Sequence, residues 1–143
     1  TTKGVDADAV DAVTESSLEK TISFAEGFAA QTGAVIAITG AVDIVADANS
    51  AHVIRNGNAM MAQVTGTGCM LSAMAAAYLA ANPGNFLEAT AASVCAMGLC
   101  GELAYAKASD AGAGNSSYRN FLIDEIYHLT GDKLESGAKY VLF

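Results

Sequence analysis

The chain has 143 residues, the length of one domain at most. Apolar types make up 52% and charged types only 15%, which excludes a disordered solvating segment, and a single proline excludes a linker or collagen-like chain. Seven Lys and Arg against fifteen Asp and Glu leave a formal charge of −8 with no basic stripe, so neither nucleic acid nor an anionic membrane surface is an expected partner.

The first residues, Thr1-Thr2-Lys3-Gly4-Val5-Asp6, hold no apolar run, and no signal peptide is expected from them. They also lack Met and read as the middle of a fold. Ser16 and Glu19 stand at the capping-box spacing and predict a helix start. Leu18, Ile22, Ala25 and Ala29 recur on one face of that helix, and Gly33 predicts a left-handed stop. Residues 34–40 form a continuous apolar run ending in Thr39-Gly40. A strand buried on both faces of a mainly parallel sheet reads that way, and helix followed by buried strand is half an α/β repeat.

Residues 43–46 and 51–55 predict two short strands, a hairpin around the polar turn at 47–50. Residues 56–67 read as a long loop. Residues 69–81 form helix readily and stop at Asn82-Pro83-Gly84. The whole stretch 56–87 is free of charge, yet glycines, Pro83 and polar residues break it, so no membrane span is expected there. Asn85 and Glu88 repeat the capping-box spacing. The helix they open runs to about Lys107 with a small face of Ala89, Ala92, Ala96, Gly98 and Gly101, which lets another helix approach closely. The thirty alanines of the chain point the same way. Residues 110–116 are a glycine-bearing loop. Ser117 caps a last helix carrying Phe121, Ile123, Ile126, Tyr127 and Leu129, Gly131 ends it, and residues 138–143 add a terminal strand. These strands are too few for a complete sheet. The chain is part of a larger α/β unit or a small two-layer domain.

The sharpest chemical feature is Val64-Thr65-Gly66-Thr67-Gly68-Cys69, between a polar loop and an alanine-rich helix. Two glycines one residue apart let the backbone pass close to a ligand. A helix start adds unpaired N–H groups and the positive end of a dipole, which together suit a phosphate. The spacing is neither that of a Walker A loop nor that of the dinucleotide fingerprint, and an ordinary helix-capping turn reads the same way. Cys69 is the one cysteine placed at a helix start, where a thiol gains a reason to be reactive. Cys95 and Cys100 lie within an apolar helix and point about 140° apart, so they read as packing residues. The three cysteines read as reduced thiols of a cytosolic protein. Thr39-Gly40, at the carboxyl end of a strand, is a second candidate site. His52 and Arg55 read as solvated, and Asp43, after Gly40, is a candidate for touching a nucleotide.

Residues 37–43 (Ala-Ile-Thr-Gly-Ala-Val-Asp), Asn56-Gly57 and residues 64–73 (Val-Thr-Gly-Thr-Gly-Cys-Met-Leu-Ser-Ala) resemble the hydroxyethylthiazole kinase family of thiamine biosynthesis. Lys3-Gly4-Val5-Asp6, Gly101-Glu102-Leu103-Ala104 and Gly112-Ala113-Gly114 fit it too, so the likeness runs from about residue 3 to 129. The resemblance implies a ribokinase-like α/β fold with a mainly parallel sheet flanked by helices. It implies ATP-dependent, Mg2+-assisted phosphorylation of the hydroxyl of 4-methyl-5-(2-hydroxyethyl)thiazole, in the cytoplasm, by a homotrimer with active sites between subunits. Gly66-Thr67-Gly68 would form the anion hole, with Thr67 on the phosphate and Gly68 catalytic. Gly66 falls where the family contacts the thiazole, Thr39 where it contacts ATP, and Cys69 where it keeps a catalytic base. Ribokinase-like relatives usually carry Asp where this chain has Cys69. The family also has an N-terminal half, with the acidic residues near Mg2+ and an arginine near ATP, that has no counterpart here. Residues 1–143 are therefore expected to be a single-domain C-terminal portion, with no metal ligand of its own and little activity alone. Two other readings compete: another ribokinase-like enzyme, such as a hydroxymethylpyrimidine kinase or an ATP/ADP-dependent hydratase repair enzyme, and a non-catalytic helical association module.

Overall fold

The computed structural model of the chain describes Val13 and residues 15–143. The Lys3-Gly4-Val5-Asp6 stretch lies outside the described residues. A 3-10 turn at Glu15–Ser17 leads into helix α1, Leu18–Thr32. Its buried residues are Leu18, Ile22, Ala25 and Ala29, the face the helical period predicts. The cap differs from expectation: Ser17, not Ser16, precedes the helix, and it makes no side-chain capping bond. The far end agrees, with Gly33 at φ 69° and its N–H donating to the Ala29 carbonyl at 2.8 Å.

Strands β1 (Ile36–Ile38), β2 (Asp43–Ala46), β3 (Ala51–Ile54) and β4 (Tyr140–Leu142) form one sheet in the order β1-β2-β3-β4. The predicted hairpin turns on Asp47, whose Oδ1 accepts from the N–H of Asn49 at 2.7 Å and of Ser50 at 3.0 Å. Side chains alternate across the sheet. Ile44, Ala46, Ala51 and Val53 pack against Leu18, Ile22 and Ala25 of α1. Val45 and Ile54 face the other way, onto Leu87, Ala91, Val94 and Cys95. Those four belong to α3 (Phe86–Asp110), the central helix.

Helix α2 (Thr67–Ala81) lies beside α3, and α4 (Asn115–Tyr127) packs along it. Met97, Cys100, Ala104 and Ala108 of α3 meet Tyr118 and Leu122 of α4 in a further core. Cys95 and Cys100 thus enter two separate cores, as their angular separation requires, and burial pushes both thiols up to about 11. α3 is long and apolar enough to cross a membrane by length and composition, but most of it is buried inside the fold.

The layering of helix, sheet and helix is that of an α/β chain, and several finer expectations are corrected. All three strand pairings among the described residues are antiparallel, not mainly parallel. The connections explain two of the three, since the four-residue links β1–β2 and β2–β3 join antiparallel neighbours and cannot make a parallel crossover. β1 is not buried on both faces: among the described residues it is an edge strand, half-buried, with Ala37 exposed. The loop at 56–67 holds a 3-10 helix, Ala59–Gln63, capped by the Asn58 side chain accepting from the Met60 N–H at 2.9 Å. α4 starts at Asn115 rather than at Ser117. It buries Tyr118, Leu122 and Glu125, leaving Ile123 and Tyr127 exposed. Glu125 displaces the expected apolar face because it pairs with Lys107 of α3. Gly131 opens a short helix, α5 (Gly131–Gly137), whose cap Thr130 accepts from the Lys133 N–H at 3.3 Å.

Candidate active site

A cavity of about 880 Å³ opens where three connections converge on α3. The turn after β1 contributes Thr39 and Gly40, the first residue of β2 contributes Asp43, the segment after β3 contributes Asn56, Gly57 and Asn58, and the start of α2 contributes Thr67 and Gly68. Val94, Met97 and Gly98 of α3 line it as well.

Each wall has a local cause. Asp43 opens β2 and folds back on its own turn, where its Oδ1 accepts from the Gly40 N–H at 2.8 Å. Burial pushes the Asp43 carboxyl up to about 6, and the Gly40 bond opposes that rise. Gly66 holds φ 99°, a left-handed conformation that side chains disfavour, and it directs the chain into α2. The Gly66 carbonyl accepts from the Met70 N–H at 2.9 Å, closing the first helical turn. The amides of Thr67, Gly68 and Cys69 come before that bond and have no acceptor within their own helix. The Thr67 hydroxyl is engaged elsewhere, donating to the carbonyls of Met61 and Val64 at 3.4 Å each. Its N–H is one of the first-turn amides, the groups that a helix start presents to an anion. At Gly68 a Cβ would meet nothing within 4 Å, so packing does not demand glycine there. At Gly98 a Cβ would lie 2.7 Å from the Asn56 backbone, so glycine is what lets α3 pass this wall.

The structure brings Thr39, Thr67 and Gly68 to one cavity, though 28 residues separate Thr39 from Thr67. Gly66 and Cys69 flank Thr67 and Gly68 at the same helix start without lining the cavity, and Cys69 is exposed. Asp43, the candidate nucleotide contact of the sequence, lines it. Arg55 is exposed as expected, but His52 is not solvated. It is buried on β3, with its ring 5.6 Å from that of Tyr140 and its Nδ1 without a hydrogen-bond partner. The Asn56–Asn58 wall was legible only as the dipeptide Asn56-Gly57, and Gly98 only as part of a small helix face. Among the described residues no group of three or more His, Cys, Asp or Glu converges to hold the Mg2+ that the resemblance implies, and among them Asp43 is the one acidic side chain lining the cavity.

A helix-start cradle facing a strand-end Thr-Gly turn is the arrangement the sequence motifs imply, and comparison with known proteins identifies its family. The profile of the hydroxyethylthiazole kinase family matches residues 1–132. The chain belongs to that family. It is 61% identical over 139 residues to a hydroxyethylthiazole kinase of Clostridium acetobutylicum, covering 97% of this chain and 50% of that protein. A hydroxyethylthiazole kinase 2 of Clostridium botulinum is 40% identical over 130 residues, 91% of this chain and 46% of the relative. A solved hydroxyethylthiazole kinase structure from Pyrococcus horikoshii OT3 superposes with a TM-score of 0.78 at 29% identity, over 90% of this chain and 48% of that one. The chain thus spans about half the length of the relatives it matches.

Proposed function

We propose that this chain is the C-terminal half of a kinase that phosphorylates the hydroxyl of 4-methyl-5-(2-hydroxyethyl)thiazole with ATP. The observation that supports this most directly is the convergence of Thr39, Thr67 and Gly68 on one cavity in a chain of this family. In the proposed reaction the thiazole hydroxyl oxygen forms a bond to the γ-phosphorus. The bond from that phosphorus to its bridging oxygen breaks, and ADP leaves with the electron pair. The hydroxyl proton passes to Cys69 or to solvent. Such transfer depends on positioning and charge stabilisation more than on a strong base. The amides of Thr67 and Gly68 at the start of α2 receive the charge of the transferred group. Thr39 contacts ATP from the facing turn, and Gly66 borders the thiazole. Ligands for Mg2+ belong to the other half of the relatives' length. We place the assembled enzyme in the cytoplasm as a homotrimer.

The test is ATP-dependent phosphorylation by a protein of the relatives' full length that contains this chain. Turnover of hydroxyethylthiazole, with Cys69→Ala lowering kcat about tenfold, supports the reading. A preference for hydroxymethylpyrimidine redirects it to another ribokinase-like kinase. Indifference to ATP and to every alcohol leaves an association module.

A further inference from the structure

The Asn56–Asn58 wall of the cavity is not held by secondary structure. It leaves β3 at Ile54, and Gly57 takes φ 136°, so neither a strand nor a helix supplies acceptors for its amide. A remote side chain does. Glu102, on the third turn from the end of α3, reaches the wall with one carboxylate oxygen. Its Oε1 accepts from the Gly57 N–H at 2.9 Å and from Asn56 Nδ2 at 3.3 Å. Its Oε2 accepts from Lys139 Nζ at 2.6 Å. Asn56, almost fully buried, completes the fastening: its Nδ2 donates to the Gly137 carbonyl at 2.9 Å, and its Oδ1 accepts from the Lys139 N–H at 2.7 Å. Gly98 brings the α3 backbone against Asn56 one turn away, so the same helix that lines the cavity anchors its wall.

We infer that Glu102 is a positioning residue for the reaction, fixing the Asn56–Asn58 wall of the substrate cavity through the Gly57 amide. Stability alone does not explain the arrangement. The Glu102–Lys139 pair is partly solvated, with Lys139 58% and Glu102 23% exposed, and such pairs contribute little to folding. A carboxylate accepting a backbone N–H does fix geometry, because charge-assisted bonds are short and directional. Losing the acceptor frees Gly57, and the shape of the cavity beside the bound substrate changes with it. Lys139 neutralises the carboxylate from the side away from Gly57. Its own backbone N–H reaches Asn56 whatever its side chain is.

For its kinetic part the inference rests on the kinase reading, and the experiment keeps the two apart. In a full-length enzyme carrying this chain, Glu102→Ala, Glu102→Gln and Lys139→Met are compared by steady-state kinetics and by amide hydrogen exchange at Gly57. Glu102→Ala is expected to raise the KM of one substrate about tenfold with kcat changed less than about threefold, and to speed Gly57 exchange by about tenfold or more. Glu102→Gln keeps a carbonyl acceptor and is expected to recover most of both. Lys139→Met leaves Gly57 held and is expected to stay near the parent. An enzyme with Glu102→Ala that has parental KM and parental Gly57 exchange overturns the inference. So does Lys139→Met reproducing the full Glu102→Ala effect, since the ion pair would then be the cause. If the parent transfers no phosphoryl group, the kinase reading fails, and Gly57 exchange still decides whether Glu102 holds the wall.

Discussion

At the scale of single residues, the two glycines of the cradle are there for different reasons. Gly66 has a backbone that disfavours any side chain, whereas Gly68 has ordinary helical geometry and open space around it. Gly66→Ala is therefore expected to cost about 1–2 kcal/mol of folding stability. Gly68→Ala is expected to keep stability or raise it by up to about 1 kcal/mol, because alanine favours helix. It should still lower kcat/KM of the full-length enzyme roughly a hundredfold, since the methyl occupies the cavity that Gly68 lines. Thermal unfolding and kinetics on the two variants check this, and parental activity of Gly68→Ala contradicts the cradle. Asp43 makes a second case. Its carboxyl sits at about 6 in the fold against 3.8 in an unfolded chain. Between those values the folded state holds the proton more tightly, so this group's contribution to stability falls as pH rises from about 4 to about 6 and stays low above that. Asp43→Asn keeps an acceptor for the Gly40 N–H without the buried charge. It is expected to be about 2 kcal/mol more stable than the parent at pH 7, with the gap closing near pH 4, by denaturant unfolding at both values. An equal gap at both pH values removes the buried charge as its cause. A carboxylate kept in a cavity at such a cost fits a binding role, because perturbed groups gather where chemistry is done.

At the scale of elements, helices were more legible than strands, and the site lay between the two. The α1 face of Leu18, Ile22, Ala25 and Ala29 is buried as its period predicts, because one layer covers one stripe of a helix. β1 misled for the converse reason. An apolar run of Val35, Ile36 and Ile38 states only that these residues avoid water, not which neighbour covers them, and pairing direction is set by connections. α4 misled because Glu125 gains a partner, Lys107, on an element ten or more residues away, which no local pattern shows. α5 lay hidden behind Gly131, read as a stop, although Thr130 supplied the cap signal. The helix-start half of the site was readable because glycine spacing encodes backbone shape locally. The Asn56–Asn58 wall was not, because Glu102, Gly137 and Lys139 hold it from 45 to 83 residues away.

At the scale of the whole molecule, the exposed apolar surface points to missing neighbours. α2 is among the most hydrophobic segments of the chain, and none of its 15 residues is buried. Phe24 and Phe28 of α1 stack on each other, 63% and 45% exposed. Among the described residues, β1 has no strand paired to its outer edge. Apolar faces of this extent on a stable protein are normally covered, and an unpaired edge invites strand addition. We propose that the other half of the relatives' length, and a neighbouring subunit if the enzyme assembles as proposed, covers them. Residues 1–143 alone are then expected to self-associate in a concentration-dependent manner by analytical ultracentrifugation and to show no phosphoryl transfer. Supplying the complementary half in trans, or in one chain, is expected to abolish that association and to produce activity. A monodisperse monomer that turns over hydroxyethylthiazole unaided would defeat the proposal, because the cavity would then need nothing beyond Thr39, Asp43 and the start of α2 to complete it.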